Sequence, residues 1–276
     1  MRKKQHLIAL DLDGTLLTDD KEISENNRRT IEHAIHDGHI VVIATGRPHR
    51  SSINYYHEMK LNTPMVNFNG ALIHHPKDST WRTTHSPMPN KTALEIVDAC
   101  YEVSVKNIMA EVQDHMFVDQ YDEGIIKTFM KNSIELPYTV GDLKRKLLED
   151  PTSLLIQPNE DFSQLRTHLN DYAEIIEHRV WGAPLNIIEV VKNGINKAVG
   201  LQKIAKYYDI PRERIIAFGD EDNDLEMIDY AGVGVAMRNG IQELQSIANH
   251  ITETNEADGV GKFLQTYLSM DIHVEK

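Results

Sequence analysis

The first seventy residues alternate short, mostly apolar runs with longer polar segments. The apolar runs are Leu7–Leu10, Ile40–Ala44 and Met65–Phe68, and each is followed closely by glycine and by acidic, hydroxyl or amide side chains. Such runs are typical of strands buried on both faces, as in a parallel sheet. After the first run, Ser24 predicts a helix N-cap, and Asp37-Gly38 predicts the end of that helix. The alternation predicts a doubly wound, Rossmann-like α/β sheet.

The alternation stops near residue 86. Pro87 and Pro89 break the chain, and a helix is predicted from about Asn90. Two alternating runs, 108–112 and 115–119, predict paired strands. Further helices are predicted over 124–132, 142–148 and 162–172, and further strands over 153–157, 175–181 and 186–191. This mixture predicts an α+β unit.

The last third returns to the first pattern. Asn196 to Tyr208 predicts a helix, and Ile215–Phe218 predicts a buried strand that ends at Gly219-Asp220. A helix over 224–230, a strand over 232–237 and helices over 241–248 and 259–268 follow. We therefore predict a core formed by residues 1–85 and 192–276, with an inserted α+β cap at 86–191 that selects the substrate.

Composition narrows the class of partner. The chain has 29 basic and 42 acidic residues, a net charge of −13. A surface of this charge repels nucleic-acid backbones and anionic membranes, so we expect neither as a partner. A phosphate ester would need positive charge supplied locally, by a metal ion, a basic side chain or backbone N–H groups. No obligate protein partner is evident from the sequence.

The single cysteine, the first residues and the length of the apolar runs bear on the cellular compartment. Cys100 cannot form an internal disulfide, and its amphipathic helical context predicts a small buried side chain rather than a nucleophile. Met1–His6 does not lead into the hydrophobic region and cleavage site of a signal peptide, and no apolar run approaches the ~20 residues that span a bilayer. We expect a cytoplasmic protein.

Chemistry-bearing residues follow the predicted strands. Asp11 and Asp13 come after the first strand and Asp220 after the fourth core strand. Because ligands of open α/β sheets bind at the carboxyl ends of the strands, these acids are expected to meet at one edge. Clustered carboxylates suit Mg²⁺, which neutralises them. Asp11-X-Asp13 alone would read as ordinary turn residues, but Asp220 and Lys197 make a site the better interpretation.

Two further elements supply groups for an anion. Thr45-Gly46-Arg47 stands at a strand-to-helix turn, where a hydroxyl and backbone N–H groups can hold phosphate oxygens, although it can equally be a helix cap. Lys197 begins a helix, with Asn196 as the expected N-cap. A cation there opposes the helix dipole, which favours a functional role beside an anion.

Four motifs resemble those of the haloacid dehalogenase superfamily, in particular the Cof-type phosphatases with a large α+β, C2B-type cap. The four are Asp11-Leu12-Asp13-Gly14-Thr15-Leu16, Ala44-Thr45-Gly46-Arg47, Lys197, and Gly219-Asp220-Glu221-Asp222-Asn223-Asp224. Asn69-Gly70 matches as well, and the resemblance extends over nearly the whole chain. The sequence departs from the usual pattern at Asn196, where serine is frequent, and at Glu221, and neither change removes a catalytic group.

The resemblance implies a role for each matched residue. Asp11 is implied as nucleophile and Mg²⁺ ligand, and Asp13 as general acid/base that also offers its backbone carbonyl to the metal. Asp220 is implied as the third protein ligand of the ion. Phosphate-binding roles fall to Leu12, Thr45, Gly46, Lys197 and Asn223, and supporting roles to Asp224, Asn69, Gly70 and Arg47.

Together these features predict a Mg²⁺-dependent phosphomonoester hydrolase with an aspartyl-phosphate intermediate. The substrate class implied is a small phosphorylated metabolite: a sugar phosphate, a nucleotide-like phosphate or a flavin-pathway phosphate. A phosphomutase or phosphotransferase would use the same residues, and no residue decides between the two. A signalling phospho-acceptor resembling a receiver domain is a further alternative, disfavoured because a receiver needs no inserted unit as large as a domain.

Overall fold

The computed structural model describes residues 4–130, 138–159, 163–181 and 186–270. The chain divides into two compact units. The core unit consists of Met1–Arg47, Ser52–Thr83 and Asn196–Lys276, and the inserted unit of Pro48–Ser51 and Thr84–Ile195. Apart from the short segment 48–51, the chain passes from the core unit to the inserted unit between residues 83 and 84 and returns between residues 195 and 196. The predicted cap spans residues 86–191.

The elements are numbered along the chain. The strands are β1 (Leu7–Leu10), β2 (Ile40–Ile43), β3 (Met65–Asn67), β4 (Leu72–His74), β5 (Thr84–His85), β6 (Asn107–Val112), β7 (His115–Val118), β8 (Tyr138–Val140), β9 (Ser153–Gln157), β10 (Ile176–Trp181), β11 (Ile187–Lys192), β12 (Ile215–Gly219), β13 (Val233–Ala236) and β14 (His250–Ile251). The helices are α1 (Glu25–His36), α2 (His49–Glu58), α3 (Asn90–Glu102), α4 (Glu123–Met130), α5 (Leu143–Lys146), α6 (Ser163–Asn170), α7 (Lys197–Tyr207), α8 (Leu225–Tyr230), α9 (Gln242–Ile247) and α10 (Gly259–Tyr267).

The core unit is built on a five-stranded parallel sheet in the order β14-β13-β12-β1-β2. Every residue of β1 and β2 is buried, because helices cover both faces of the sheet. Side chains alternate between the faces: Ile8 and Leu10 pack in one apolar cluster with residues of α1 and α10. Leu7 and Ala9 pack in a second cluster with residues of α7 and α8. The predicted doubly wound α/β core is confirmed.

The third apolar run, Met65–Phe68, was expected to form a strand of the parallel sheet, but it pairs differently. β3 pairs with β4 as an antiparallel hairpin, so it is not a full member of the parallel sheet. A single parallel bridge, Ala44 to Val66, joins it to the segment after β2. With only three residues, β3 is too short to extend the main sheet by a regular ladder, but it still brings its carboxyl end beside that of β2.

The inserted unit is a six-stranded mixed sheet in the order β10-β11-β9-β6-β7-β8. Its pairs are antiparallel except for β7 with β8. One apolar cluster joins the sheet to α3, α5 and α6, and a second one involves Ile125 of α4. Cys100 lies fully buried in the first cluster, and this burial raises the pKa of its thiol to about 12, as expected for a packing residue.

Most predicted elements are present at nearly the predicted positions. Ser24 caps α1 through a bond from the Asn27 N–H, and Asn196 caps α7 through a bond from the Val199 N–H. The short strands β5, β8 and β14 were not predicted. The last residues of the helix predicted over 124–132 and the first residue of that over 162–172 lie outside the described residues. Among the described residues, no helix combines the length and the apolar character needed to cross a membrane.

Candidate active site

Three segments of the core sheet end at one edge. β1 pairs in parallel with β12 on one side and with β2 on the other, so their carboxyl ends point the same way. Asp11 follows β1 and donates its backbone N–H to Phe218 O of β12 at 3.2 Å. Asp220 follows β12, and Thr45 follows β2. The sheet register alone therefore brings three of the predicted site residues together.

Lys197 is the cation at the centre of this edge. It is fully buried, and its Nζ donates to Asp11 Oδ1 and to Asp224 Oδ1, both at 2.7 Å. Burial opposes the charge of Lys197, but the two carboxylates outweigh burial and raise the pKa of the ammonium group. Lys197 is therefore charged, and it neutralises acids contributed by two different strand ends.

Asp224 organises the loop that follows β12. Its Oδ2 accepts hydrogen bonds from the backbone N–H groups of Asp220, at 3.0 Å, and Glu221, at 3.3 Å, while Oδ1 contacts Lys197. The Glu221 side chain in turn bonds the Asp224 backbone N–H, completing a capping box. Both oxygens of Asp224 are thus engaged with protein groups.

Asp220 faces the loop after β1. Its Oδ1 accepts a hydrogen bond from Thr15 Oγ1 at 2.9 Å. Gly14 adopts a φ of +71°, and a Cβ there would lie 2.1 Å from Asp220 Oδ2. Glycine is therefore required at position 14 both by its backbone conformation and by the close approach of this carboxylate.

The donor set at this edge fits a divalent metal ion. Asp11, Asp220 and Asp224 are buried, and one carboxylate oxygen from each lies within 4.8 Å of the others. Burial and the neighbouring carboxylates raise the pKa of Asp220 to about 8, and burial raises that of Asp11 to about 7 even though Lys197 opposes this shift. One ammonium group balances only part of the charge of three carboxylates, and hard oxygen donors with excess negative charge are suited to Mg²⁺.

Asp13 lies outside this cluster of carboxylates. Arg47 donates from Nε to Oδ2 at 2.6 Å and from a terminal nitrogen to Oδ1 at 2.7 Å, and Lys21 Nζ lies 2.9 Å from Oδ1. Burial alone would raise the pKa of Asp13, but Arg47 and Lys21 outweigh burial and lower the pKa to about 2. The Arg47 guanidinium also stacks over the Tyr55 ring at 5.4 Å.

A second group of predicted residues surrounds Gly46. Thr45 Oγ1 accepts from the Arg47 N–H at 3.1 Å, and Asn223 Nδ2 donates to Asn69 Oδ1 at 3.0 Å. A Cβ on Gly46 would lie 3.1 Å from Asn69 Oδ1. Glycine thus leaves a polar recess of hydroxyl, amide and backbone groups at this point.

Gly70 fixes the position of Lys197. It has a φ of +104°, and a Cβ there would lie 2.3 Å from the carbonyl oxygen of Asn196. Since Asn196 is the N-cap of α7, the absence of a side chain at Gly70 lets this helix begin close to the carboxyl end of β3. Asn69 beside it also adopts a left-handed conformation, with a φ of 52°.

Two residues that contribute to the site, Lys21 and Thr15, were not predicted. Lys21 lies in the polar run Asp20-Lys21-Glu22, which is typical of an exposed turn. Its backbone has a positive φ of 64°, and its carbonyl accepts a hydrogen bond from Tyr55 Oη, in a conformation that brings the side chain to Asp13. Thr15 was part of the quoted motif, but its hydrogen bond to Asp220 depends on the pairing of β1 with β12. No sequence signal could have assigned either contact.

The comparison with protein families agrees with this geometry. A family model described as haloacid dehalogenase-like hydrolase matches residues 8–264. The chain belongs to the haloacid dehalogenase-like hydrolases. The match spans both the strand-end site and the inserted unit, and it confirms the resemblance seen in the four motifs.

Relatives with names and a solved structure extend this assignment. The chain is 54% identical over 272 residues to the 5-amino-6-(5-phospho-D-ribitylamino)uracil phosphatase YitU of Bacillus subtilis, covering 98% of this chain and 100% of that one. It is 27% identical to the pyridoxal phosphate phosphatase YbhA of Escherichia coli, over 95% and 98% of the two chains. The crystal structure of TM0651 from Thermotoga maritima superposes with a TM-score of 0.81, at 27% identity and 99% coverage of both chains. The chain described here is therefore a phosphatase.

Proposed function

We propose that this phosphatase hydrolyses a small phosphorylated metabolite with Mg²⁺, through an aspartyl-phosphate on Asp11. The observation that carries the proposal is the contact of Lys197 Nζ with Asp11 Oδ1 at 2.7 Å. This contact leaves Asp11 Oδ2 without a hydrogen bond to any described residue, so that one oxygen of a buried carboxylate is available to attack. A buried ammonium group beside that carboxylate would also reduce the repulsion between two anions.

The metal would be held by Asp11 and Asp220, with Asp224 close by and the Asp13 carbonyl as a further ligand. When bound, Mg²⁺ would supply positive charge to the phosphoryl oxygens and to the clustered carboxylates. The raised pKa values of Asp11 and Asp220 support a site that requires a cation at neutral pH.

The phosphate group would be bound by groups of the same edge. Lys197 would contact one non-bridging oxygen, and the recess at Gly46 would offer the Thr45 hydroxyl and the Asn223 amide to the others. The Leu12 N–H forms no hydrogen bond within the described residues and would donate to phosphate as well. Asn69 and Gly70 support this recess and the start of α7.

The reaction would proceed in two steps. In the first step, an oxygen of Asp11 attacks phosphorus, the bond from phosphorus to the ester oxygen breaks, and Asp13 donates a proton to the departing alcohol. In the second step, Asp13 takes a proton from water, which attacks the aspartyl-phosphate, so that inorganic phosphate leaves and Asp11 is restored. Arg47 holds Asp13 beside the site and would release it as the substrate binds.

The substrate that we propose is 5-amino-6-(5-phospho-D-ribitylamino)uracil. The support is the relative named for that activity, which is 54% identical over nearly the whole of both chains. The more distant relative named for pyridoxal phosphate supports only the broader class of small phosphate esters. Substrate selection by the inserted unit stays a prediction.

A phosphatase screen tests these proposals. Purified protein is assayed for phosphate release from a panel of metabolites that includes this uracil derivative, with Mg²⁺ and with a chelator. We expect the uracil derivative to give the highest kcat/KM, only with Mg²⁺, and Asp11→Asn to abolish turnover. Substantial Mg²⁺-dependent turnover by Asp11→Asn would show that Asp11 is not the nucleophile. A clear preference for another ester would show that the uracil derivative is not the substrate.

A further inference from the structure

A groove of about 420 Å³ lies on the core unit, and it shares no residue with the candidate active site. This volume falls within the range of ~300–1,000 Å³ that is typical of small-molecule sites. Two aromatic side chains, Trp81 and Tyr207, line it together with three cationic ones, Arg82, Lys203 and Lys206. We refer to it as the Trp81 groove.

The three cations of the Trp81 groove lack anionic partners. None of them forms an ion pair or a side-chain hydrogen bond with any residue in the described ranges, in a chain whose net charge is −13. Burial and the nearby charge of Arg82 both lower the pKa of Lys203, so Arg82 and Lys203 repel each other. The negative end of the α7 dipole accounts for lysines in its last turns, but Arg82 belongs to a different segment.

The acidic residue of the groove does not offset this charge. Asp78 Oδ1 accepts from the Thr80 N–H at 2.9 Å and from Thr80 Oγ1 at 2.6 Å. The Asp78 carboxylate thus stabilises the turn from Asp78 to Thr80 instead of forming an ion pair with a cation of the groove. Three cationic groups therefore remain available to a bound anion.

The aromatic side chains provide a surface for a ring. Trp81 is only 8% exposed and forms the floor, whereas Tyr207 is 56% exposed. Their rings meet edge to face at 6.2 Å, and Lys203 Nζ stands over the Trp81 ring at 5.1 Å. An exposed ring edged by cations can stack a planar aromatic group while the cations bind an attached anion.

We propose that the Trp81 groove is a binding site for a small aromatic phosphate, with the ring against Tyr207 and the phosphate between Lys203, Lys206 and Arg82. The Trp81 groove is separate from the proposed active site. Of α7, the active site uses only Lys197 at the first turn, whereas Lys203 and Lys206 lie near the other end of the helix. A helix rises about 1.5 Å per residue, so Lys203 and Lys206 lie about 9 to 14 Å along the axis from Lys197.

Tryptophan fluorescence can report on this site directly. The chain has two tryptophans, so Trp181→Phe leaves Trp81 as the only one, and Asp11→Asn in the same protein prevents turnover of the probe. The probe is adenosine 5′-monophosphate. We expect a saturable change in fluorescence, weaker binding of adenosine and of inorganic phosphate, and at least a tenfold weaker affinity for the nucleotide when Lys203→Gln and Lys206→Gln are added.

Matched controls separate this proposal from its rivals. Lys262→Gln removes an exposed lysine on α10 and should leave the affinity unchanged. The Lys203→Gln, Lys206→Gln chain with Asp11 intact should keep its phosphatase activity, which also shows that it is folded. No saturation by about 1 mM nucleotide, at the weak end of ligand affinities, overturns the proposal. Equal affinity of the lysine variant overturns it too, because the nucleotide is then bound elsewhere.

Discussion

Arg47 holds both carboxylate oxygens of Asp13, at 2.6 and 2.7 Å, while Lys21 contacts one of them at 2.9 Å. Two cations thus favour the ionised form of the residue that we assign as general acid. That assignment requires Asp13 to carry a proton when the leaving group departs, so any change in these contacts should appear in the pH dependence of the reaction.

Lys21→Met should move the alkaline limb of the pH profile. Lys21 lowers the pKa of Asp13, and its loss raises that pKa, so Asp13 stays protonated to a higher pH. Because the pKa of Asp13 is about 2 in the folded protein, kcat/KM should already be falling across the accessible pH range, and Lys21→Met should shift this fall to higher pH, measured from about pH 4 to 8. Lys21→Arg keeps the charge and should retain the original limb. An unmoved limb in Lys21→Met would show that Asp13 is not the acid, or that Lys21 leaves it before the chemical step.

Lys197→Met should lower both stability and activity. Asp11 and Asp224 would remain buried without their shared cation, and breaking a buried ion pair in this way costs about 3–5 kcal/mol in the free energy of unfolding. Loss of a charge beside the phosphoryl group should reduce kcat by at least about a hundredfold. Denaturant unfolding and steady-state kinetics measure the two effects. Lys206→Met, an exposed position on the same helix, should change neither of them.

Gly70→Ala and Gly38→Ala form a matched pair. Both glycines have positive φ values, +104° and +87°, so either alanine adds backbone strain of about 1–2 kcal/mol. At Gly38 nothing lies within 4 Å of the added Cβ, whereas at Gly70 it meets the Asn196 carbonyl at 2.3 Å. Only Gly70→Ala should displace Lys197 and lower kcat, by about tenfold or more. Equal kcat values in the two variants would contradict the role given to Gly70.

Metal removal should make stability depend on pH. Asp11 and Asp220 have folded-state pKa values of about 7 and 8, above the ~3.9 of an unfolded aspartate. Between these limits the native state binds more protons than the unfolded state, so stability falls as the pH rises. In a chelator, Tm should decrease from about pH 5 to about pH 8, and Mg²⁺ should raise Tm most at the upper end. Asp220→Asn should weaken both trends, and a Tm that Mg²⁺ leaves unchanged at pH 8 would argue against a metal at this edge.

The sequence predicts the strands correctly where burial on both faces determines the conformation. Leu7–Leu10 and Ile215–Gly219 are buried on both faces, so their composition predicts the strands and hence the edge where Asp11 and Asp220 meet. The two-residue strand β14 and the three-residue strand β8 have no such signal, because their conformation depends on the neighbouring strand.

Contacts between side chains from distant segments were beyond the sequence. Residues two apart in an extended strand share one face, as Asp11 and Asp13 would if β1 continued. Instead, Asp13 is bound by Arg47 and Lys21 and lies apart from the cluster of Asp11, Asp220 and Asp224. The chain turns directly after β1, and a turn does not preserve the alternation of a strand. Whether Asp13 reaches the leaving group stays a prediction.

The position of β1 has a consequence for the synthesis of the chain. β1 is paired on one side with β2, which follows it closely, but on the other side with β12, which begins only at Ile215. While the ribosome makes the intervening residues, this side of β1 is an open apolar edge, of the kind that aggregates or recruits chaperones. β1 therefore completes its place in the sheet only after the residues between β2 and β12 have been made.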